Sequence, residues 1–203
     1  VVFMSEKDAA QLPHPGGTVI ANGVDIERFI PQPEPSSPRL LFIGSFRHFP
    51  NIVAYRFLVE QVWPLVKRRF PALAMTVVAG PDHERHWREH TRTLEIPKDK
   101  RIRLEGFVRD VRPLYADATL VAVPTLVSAG TNVKVLEAMA MGRAVVSTPS
   151  GCAGIAVAHG ESVWIGPTAQ EFAEGIARLL EDAALRRRIA SNALRIAREQ
   201  YDW

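Results

Sequence analysis

One cysteine among 203 residues, Cys152, cannot form an internal disulfide, and no metal-ligand partner stands at useful spacing from it. Nothing points to an oxidising compartment, so the cytoplasm is the expected location. No apolar run approaches the roughly 20 residues that span a bilayer, and Val1-Val2-Phe3-Met4-Ser5 lacks the basic flank and length of a signal peptide. That opening reads as a strand cut from something longer, which leads us to expect a missing N-terminal region. Charge of one sign is also scarce: 25 Lys and Arg against 22 Asp and Glu leave a formal +3, and the arginines are scattered, not massed. Without a basic block or an RNA-binding signature, nucleic acid is not an expected partner, whereas an anionic ligand or an acidic membrane surface is compatible with the balance.

Several catalytic signatures are missing as well. There is no Gly-x-x-x-x-Gly-Lys-Ser/Thr loop, which disfavours ATP hydrolysis of that kind, and no Gly-x-Gly-x-x-Gly fingerprint, which weakens a dinucleotide reading. No Gly-x-Ser-x-Gly elbow occurs, and Cys152, beside Ser150 and Gly151, has no identifiable activating base; it reads as a small packing residue. No Asp-x-Asp pair is present to hold a metal, and none is expected. His83, His86 and His90 could share one helix face around Trp87, but the charge density of His83 to His90 favours a solvated helix over a metal site.

What is present has a clear rhythm. Leu40-Leu41-Phe42-Ile43 ends in Gly44, Met75-Thr76-Val77-Val78-Ala79 in Gly80, and Leu120-Val121-Ala122-Val123 in Pro124. Ile102 to Glu105 before Gly106 and Ala144 to Val146 before Ser147 are weaker versions. Short continuous apolar runs of this kind read as strands buried on both faces, the mark of a parallel sheet. Helical patterns lie between and after them: Ile52 to Arg69, then Phe172, Ile176, Leu179 and Leu180, then Leu185, Ile189, Ala193, Ile196 and Ala197. The expected fold is α/β, a doubly wound Rossmann-like parallel sheet with helices on both faces. Pro31 to Pro38, rich in proline, reads as a connector. It divides residues 1–38, a leading segment with a strand at Thr18 to Ala21, from a main domain at 39–203.

The most informative stretch runs from Pro124 to Gly142. It reads as a strand end, a loop of small and polar residues from Ser128 to Asn132, a helix, and Gly142 as its C-cap. Small residues let backbone approach a ligand, and the helix N-terminus presents free N–H groups with partial positive charge, a device for phosphate that needs no metal. Glu137 sits in an otherwise apolar helix, where a carboxylate is costly unless something takes its hydrogen bonds. Ribose hydroxyls would suit it; a surface pair with Lys134, three residues earlier, would account for it equally well.

This stretch resembles the signature region of retaining family 4 glycosyltransferases of the GT-B fold, in which two glutamates with seven residues between them flank the loop and helix. The match at Leu136-Glu137-Ala138-Met139-Ala140-Met141-Gly142 is close, and it extends through Ile20 to Asp25, Phe42-Ile43-Gly44, Val77 to Gly80, Gly106-Phe107-Val108 and Tyr201-Asp202-Trp203. The resemblance implies the C-terminal half of a GT-B fold, which binds a UDP-sugar or GDP-sugar. It further implies retaining transfer of a hexose to an alcohol acceptor in bacterial polysaccharide or glycoconjugate synthesis. By position, Glu137 would hold ribose, Gly130, Thr131, Asn132 and Val133 the phosphate and sugar, and Phe107 and Val108 the base. The acceptor site and any catalytic histidine would lie in the missing N-terminal domain, and the isolated chain would transfer little or nothing alone.

Two positions depart from the pattern. Ala129 stands where the first glutamate would touch the donor sugar, and Gly44-Ser45-Phe46-Arg47 lacks an arginine directly after the glycine. Arg47 and Lys134 are the candidate groups for the diphosphate. Ala129 leaves open a non-catalytic nucleotide-sugar-binding module, and the architecture leaves open a sugar-nucleotide epimerase. Arg186, Arg187, Arg188, Arg195 and Arg198 offer a basic face that the inner side of a membrane could meet, although a solvated helix explains them more simply.

Overall fold

The computed structural model describes residues 1–3, 9–10, 12, 14–93, 95–127 and 130–203. Its centre is a six-stranded, fully parallel sheet of β3 (Arg39–Ile43), β4 (Ala74–Val78), β5 (Ile102–Glu105), β6 (Leu120–Val123), β7 (Ala144–Ser147) and β8 (Trp164–Ile165). Strand order is β5-β4-β3-β6-β7-β8, so the winding reverses between β3 and β6. A separate parallel pair, β1 (Val2–Phe3) and β2 (Thr18–Val19), precedes it.

Alternation along each strand divides the core between two faces. Leu40, Phe42, Met75, Val77, Leu120 and Ala122 point to one, Leu41, Val121, Val123 and Val145 to the other. The first face is covered by α1 (Phe49–Arg56), α2 (Trp63–Arg69), α3 (His83–Thr91) and α6 (Ala169–Glu181) through Tyr55, Trp63, Trp87, Phe172 and Ile176. The second is covered by α4 (Arg112–Ala116) and α5 (Val133–Ala140) through Tyr115, Leu136 and Met139. The last helix, α7 (Ala183–Gln200), serves both, with Ile189 on one side and Ala193 and Ala197 on the other. This is the doubly wound α/β architecture the alternating pattern predicts.

Local differences have local causes. The helix expected over Ile52 to Arg69 starts earlier, at Phe49, with Pro50 in its first turn. It widens into a π turn at Phe57–Val62, where the Trp63 N–H reaches back to the Leu58 carbonyl. Pro64 follows at once, and it can neither donate to the α ladder nor fit its ring against the preceding turn. The strand expected at Thr18 to Ala21 stops at Val19.

The connector is fastened to the sheet domain by two buried arginines. Arg143, 1% exposed, donates from Nε to the Tyr115 carbonyl (2.8 Å) and from Nη2 to the carbonyls of Gln32 (2.9 Å), Pro33 (2.9 Å) and Ala116 (3.0 Å). Arg186 grips the Glu34 carboxylate with Nε and Nη2 at 2.9 and 2.8 Å, and gives Nη1 to the Leu179 carbonyl at 2.7 Å. Its guanidinium holds the Glu34 pKa below the ordinary carboxylate value. Arg186 therefore has no place on the basic or solvated face that the sequence suggested. Upstream, the Val24 N–H donates to the Tyr201 carbonyl at 2.7 Å, and Val24 and Phe29 are buried with Tyr115.

Candidate functional site

In an open parallel sheet the ligand crevice lies beyond the carboxyl ends of the strands where the winding reverses. Here that point falls between Gly44, after β3, and Pro124, after β6. The β3 loop is held tightly. The Phe46 N–H donates to the Ala79 carbonyl at 2.8 Å, and Asn51 Nδ2 donates to the Ser45 carbonyl at 2.9 Å. A side chain at Gly80 would meet Ser45 Oγ at 2.6 Å, and Gly80 has φ of +81°. Gly80→Ala should therefore cost about 2 kcal/mol in urea denaturation, from φ strain and the displaced Ser45 loop. A loss below half of that would mean the loop gives way freely.

Across the crevice, Asn132 caps α5 from outside without a side-chain cap of its own. Its Nδ2 instead donates to the Gly151 carbonyl at 2.9 Å, tying the loop to the 3-10 turn Ser150–Cys152. Gly130 takes φ of +108°, a backbone conformation that suits glycine, and among the described residues nothing lies within 4 Å of where its Cβ would stand. Thr131 Oγ1 is buried with no hydrogen-bond partner among the described residues. The first turn of α5 carries no acidic residue, which leaves its positive end uncompensated. Ser128 and Ala129 lie outside the described residues.

Lys134 and Glu137 form no direct ion pair within 4 Å; each turns to a partner of its own. Lys134 Nζ donates to Asn51 Oδ1 at 3.3 Å and stands 5.8 Å above the Phe42 ring, so it closes the crevice between α5 and the β3 loop. Burial lowers its pKa from 10.5 to about 8, with the Glu137 charge pulling the other way. Glu137 Oε2 accepts from the Tyr115 hydroxyl at 2.7 Å, while Oε1 has no partner among the described residues. Burial raises the Glu137 pKa, opposed by Tyr115, Lys134 and Arg28. A half-buried carboxylate with one oxygen unpartnered among the described residues, three residues from a half-buried lysine in the first turn of the same helix, is equipped to take hydroxyls and an anion side by side.

The remaining sequence candidates are distributed around the same rim. Arg47 is exposed and enters no ion pair among the described residues. Phe107 and Val108 follow β5 two strands away, with Phe107 exposed and Val108 half-buried. The three histidines go separate ways: His83 Nδ1 to the Gly80 carbonyl (3.1 Å), His86 to Glu89 (3.2 Å), and the His90 ring against Phe49. Cys152 is buried, and burial pushes its thiol pKa up, which suits packing and not nucleophilic attack. Asn51, Tyr115 and Arg28 were not singled out in the sequence. Only Tyr115 carries a signal, a hydroxyl inside an apolar pattern, which needs a partner when buried.

A parallel sheet with this strand order, charged groups gathered at its reversal point, belongs to the Rossmann-like nucleotide-binding class. The model described as "Glycosyl transferases group 1" matches residues 37–182, and the chain belongs to that family. It is 26% identical, over 92% of its length, to 48% of the D-inositol 3-phosphate glycosyltransferase of Corynebacterium glutamicum. It is 27% identical, over 80% of its length, to 42% of an uncharacterised 44.6 kDa protein of the Klebsiella pneumoniae cps region. The chain thus spans about half the length of the curated relatives it matches. Among solved structures, Anabaena HepE in complex with UDP and glucose superposes on the whole chain with a TM-score of 0.75 at 22% identity, over 59% of its own length. Sucrose-phosphate synthase of Thermosynechococcus elongatus does so with a TM-score of 0.78 at 20% identity, over 54% of its length. At these identities the structural likeness establishes the fold, that of GT-B glycosyltransferases. No helix among the described residues is long and apolar enough to cross a membrane.

Proposed function

We propose that this chain is the donor-binding half of a two-domain glycosyltransferase. It takes a UDP-sugar or GDP-sugar for retaining transfer of a hexose to an alcohol acceptor in polysaccharide or glycoconjugate synthesis. The carrying observation is Glu137, whose Oε2 is held by Tyr115 while Oε1 has no partner among the described residues, on the helix whose N-terminus follows the Gly130 to Asn132 loop. In this reading a ribose diol donates to the carboxylate. The diphosphate lies on the N–H groups around Gly130 to Val133, and its charge is met by Lys134 and Arg47 without a metal. The unpartnered Thr131 hydroxyl gains an acceptor when the loop seats the ligand. Phe107 and Val108 border the base. HepE, solved with UDP and with UDP-glucose, supports a uridine nucleotide as the first to try. An N-terminal domain would supply the acceptor site and close the crevice, so this half alone binds its donor and transfers little. A buried, unpaired thiol fits a reducing cytoplasm.

Calorimetric titration with UDP, GDP and ADP, without metal and then with magnesium, tests the proposal. We expect metal-independent binding of one nucleotide, weakened about tenfold or more by Glu137→Ala, as loss of a charge-assisted hydrogen bond entails. Equal affinity in wild type and Glu137→Ala would sink the ribose role, and a strict magnesium requirement would sink the metal-free account of the diphosphate.

A further inference from the structure

Given the donor site proposed above, we infer that Tyr115 is a positioning residue for it. The phenol of Tyr115 fixes the Glu137 carboxylate in one orientation, with Oε2 occupied and Oε1 turned to the ribose. Tyr115 is fully buried in the second-face cluster among Val135, Leu136 and Met139, where a phenylalanine would fill the same space. A hydroxyl in such a place is costly unless it is bonded. Its single proton has two acceptors in reach, Glu137 Oε2 at 2.7 Å and the Lys134 carbonyl at 3.2 Å. The nearer, charged oxygen is the stronger acceptor.

The phenol itself has little freedom. The Tyr115 carbonyl is gripped by Arg143 Nε at 2.8 Å, and the ring stands edge-on to Phe29, 6.4 Å between centroids. The carboxylate is therefore aimed from a neighbouring helix, not from its own. The charged and titratable groups facing Glu137 are Tyr115 from α4, Lys134 on α5 and Arg28 from the segment before the connector. Removing the phenol takes away the first of the three groups that favour its ionised form. Glu137 then takes up a proton at higher pH, and a protonated carboxyl is a poorer acceptor for two hydroxyls.

The test compares wild type, Tyr115→Phe and Glu137→Gln, with circular dichroism as the check on folding. Carbon-13 NMR follows the Glu137 carboxyl in the unliganded chain, its signal assigned by its disappearance in Glu137→Gln. Tyr115→Phe is expected to titrate at higher pH, and an unmoved midpoint overturns the inference while leaving the donor site standing. Calorimetry then compares UDP with 2′,3′-dideoxy-UDP. Tyr115→Phe should bind UDP about tenfold more weakly at pH 6.5, recover part of that loss at pH 8, and leave the dideoxy nucleotide nearly unaffected. Equal weakening of both nucleotides would reveal a merely structural tyrosine. A wild type that does not distinguish the two would instead fail the ribose reading itself, and this inference with it. Should Tyr115→Phe not fold, 3-fluorotyrosine at this position, a stronger hydrogen-bond donor of nearly the same size, should lower the Glu137 midpoint. No change there overturns the inference.

Discussion

Lys134→Met is expected to stabilise the fold by about 2 kcal/mol at pH 7 while weakening nucleoside diphosphate binding about a hundredfold. A lysine whose pKa falls from 10.5 to about 8 is held charged at neutral pH against a cost of about 3 kcal/mol, at 1.36 kcal/mol for each tenfold change. Part of what methionine relieves is given back, because the bond to Asn51 and the contact with the Phe42 ring disappear. The sign with pH follows from proton counting. Between pH 8 and 10.5 the unfolded chain holds the Lys134 proton and the folded chain has lost it, so wild-type stability rises with pH across that window. Below pH 8 the full cost applies. Ligand binding should run the opposite way: the ammonium attracts phosphate, so affinity is highest below pH 8 and declines above it. Urea denaturation of both proteins at pH 7 and pH 10 measures the first effect, and UDP titrations at the same pH values the second. A variant less stable than wild type at pH 7 would mean that Lys134 is not held at an electrostatic cost. Such a residue, costly to the fold and useful to a ligand, is the usual form of a trade between stability and function.

Arg143→Leu should cost about 4 kcal/mol, a large share of the roughly 5–15 kcal/mol that holds a domain together. The side chain, itself 1% exposed, serves four main-chain carbonyls, those of Tyr115, Ala116, Gln32 and Pro33. Leucine fills much of the volume and leaves those oxygens bare, at about 1–3 kcal/mol for each that finds no water. Lysine should not rescue, since one ammonium cannot reach both the α4 end and the connector. Equilibrium urea unfolding, reading the midpoint at constant slope, decides the matter. A loss under 1 kcal/mol would mean that the connector simply lifts and hydrates.

The strands were the most legible part of the fold because four of them, β3, β4, β6 and β7, are largely apolar runs closed by Gly, Pro or Ser, and β5 alternates apolar and charged residues before Gly106. β8 escaped notice because it is two residues long and half-exposed. The order of strands is not written in any one of them, since apolar periodicity fixes which face is buried and not which neighbour is chosen. In the site, Glu137 and Lys134 stood out as charges in an apolar helix. Their partners did not: Asn51 is 83 residues from Lys134, and Tyr115 is 22 from Glu137. The three consecutive arginines Arg186 to Arg188 look alike in sequence. Only the register of α7 against Leu179 and Glu34 buries the first and leaves the other two outside.

The seating of the connector also decides where the chain can turn. Proline-rich segments are commonly extended, semi-rigid spacers, and here residues 24–34 are also anchored at Val24 by Tyr201, at Gln32 and Pro33 by Arg143, and at Glu34 by Arg186. On the other side, Ile20 is tied to Phe3. Between these anchorages Ala21, Asn22 and Gly23 make no main-chain hydrogen bond among the described residues, but Gly23 lies closed in against the Tyr201 carbonyl and the Trp203 ring. A swing of the β1–β2 pair relative to the sheet therefore has its axle at two residues. Everything from Val24 to Glu34 is held to the sheet, and with it Arg28, a cation that acts on Glu137.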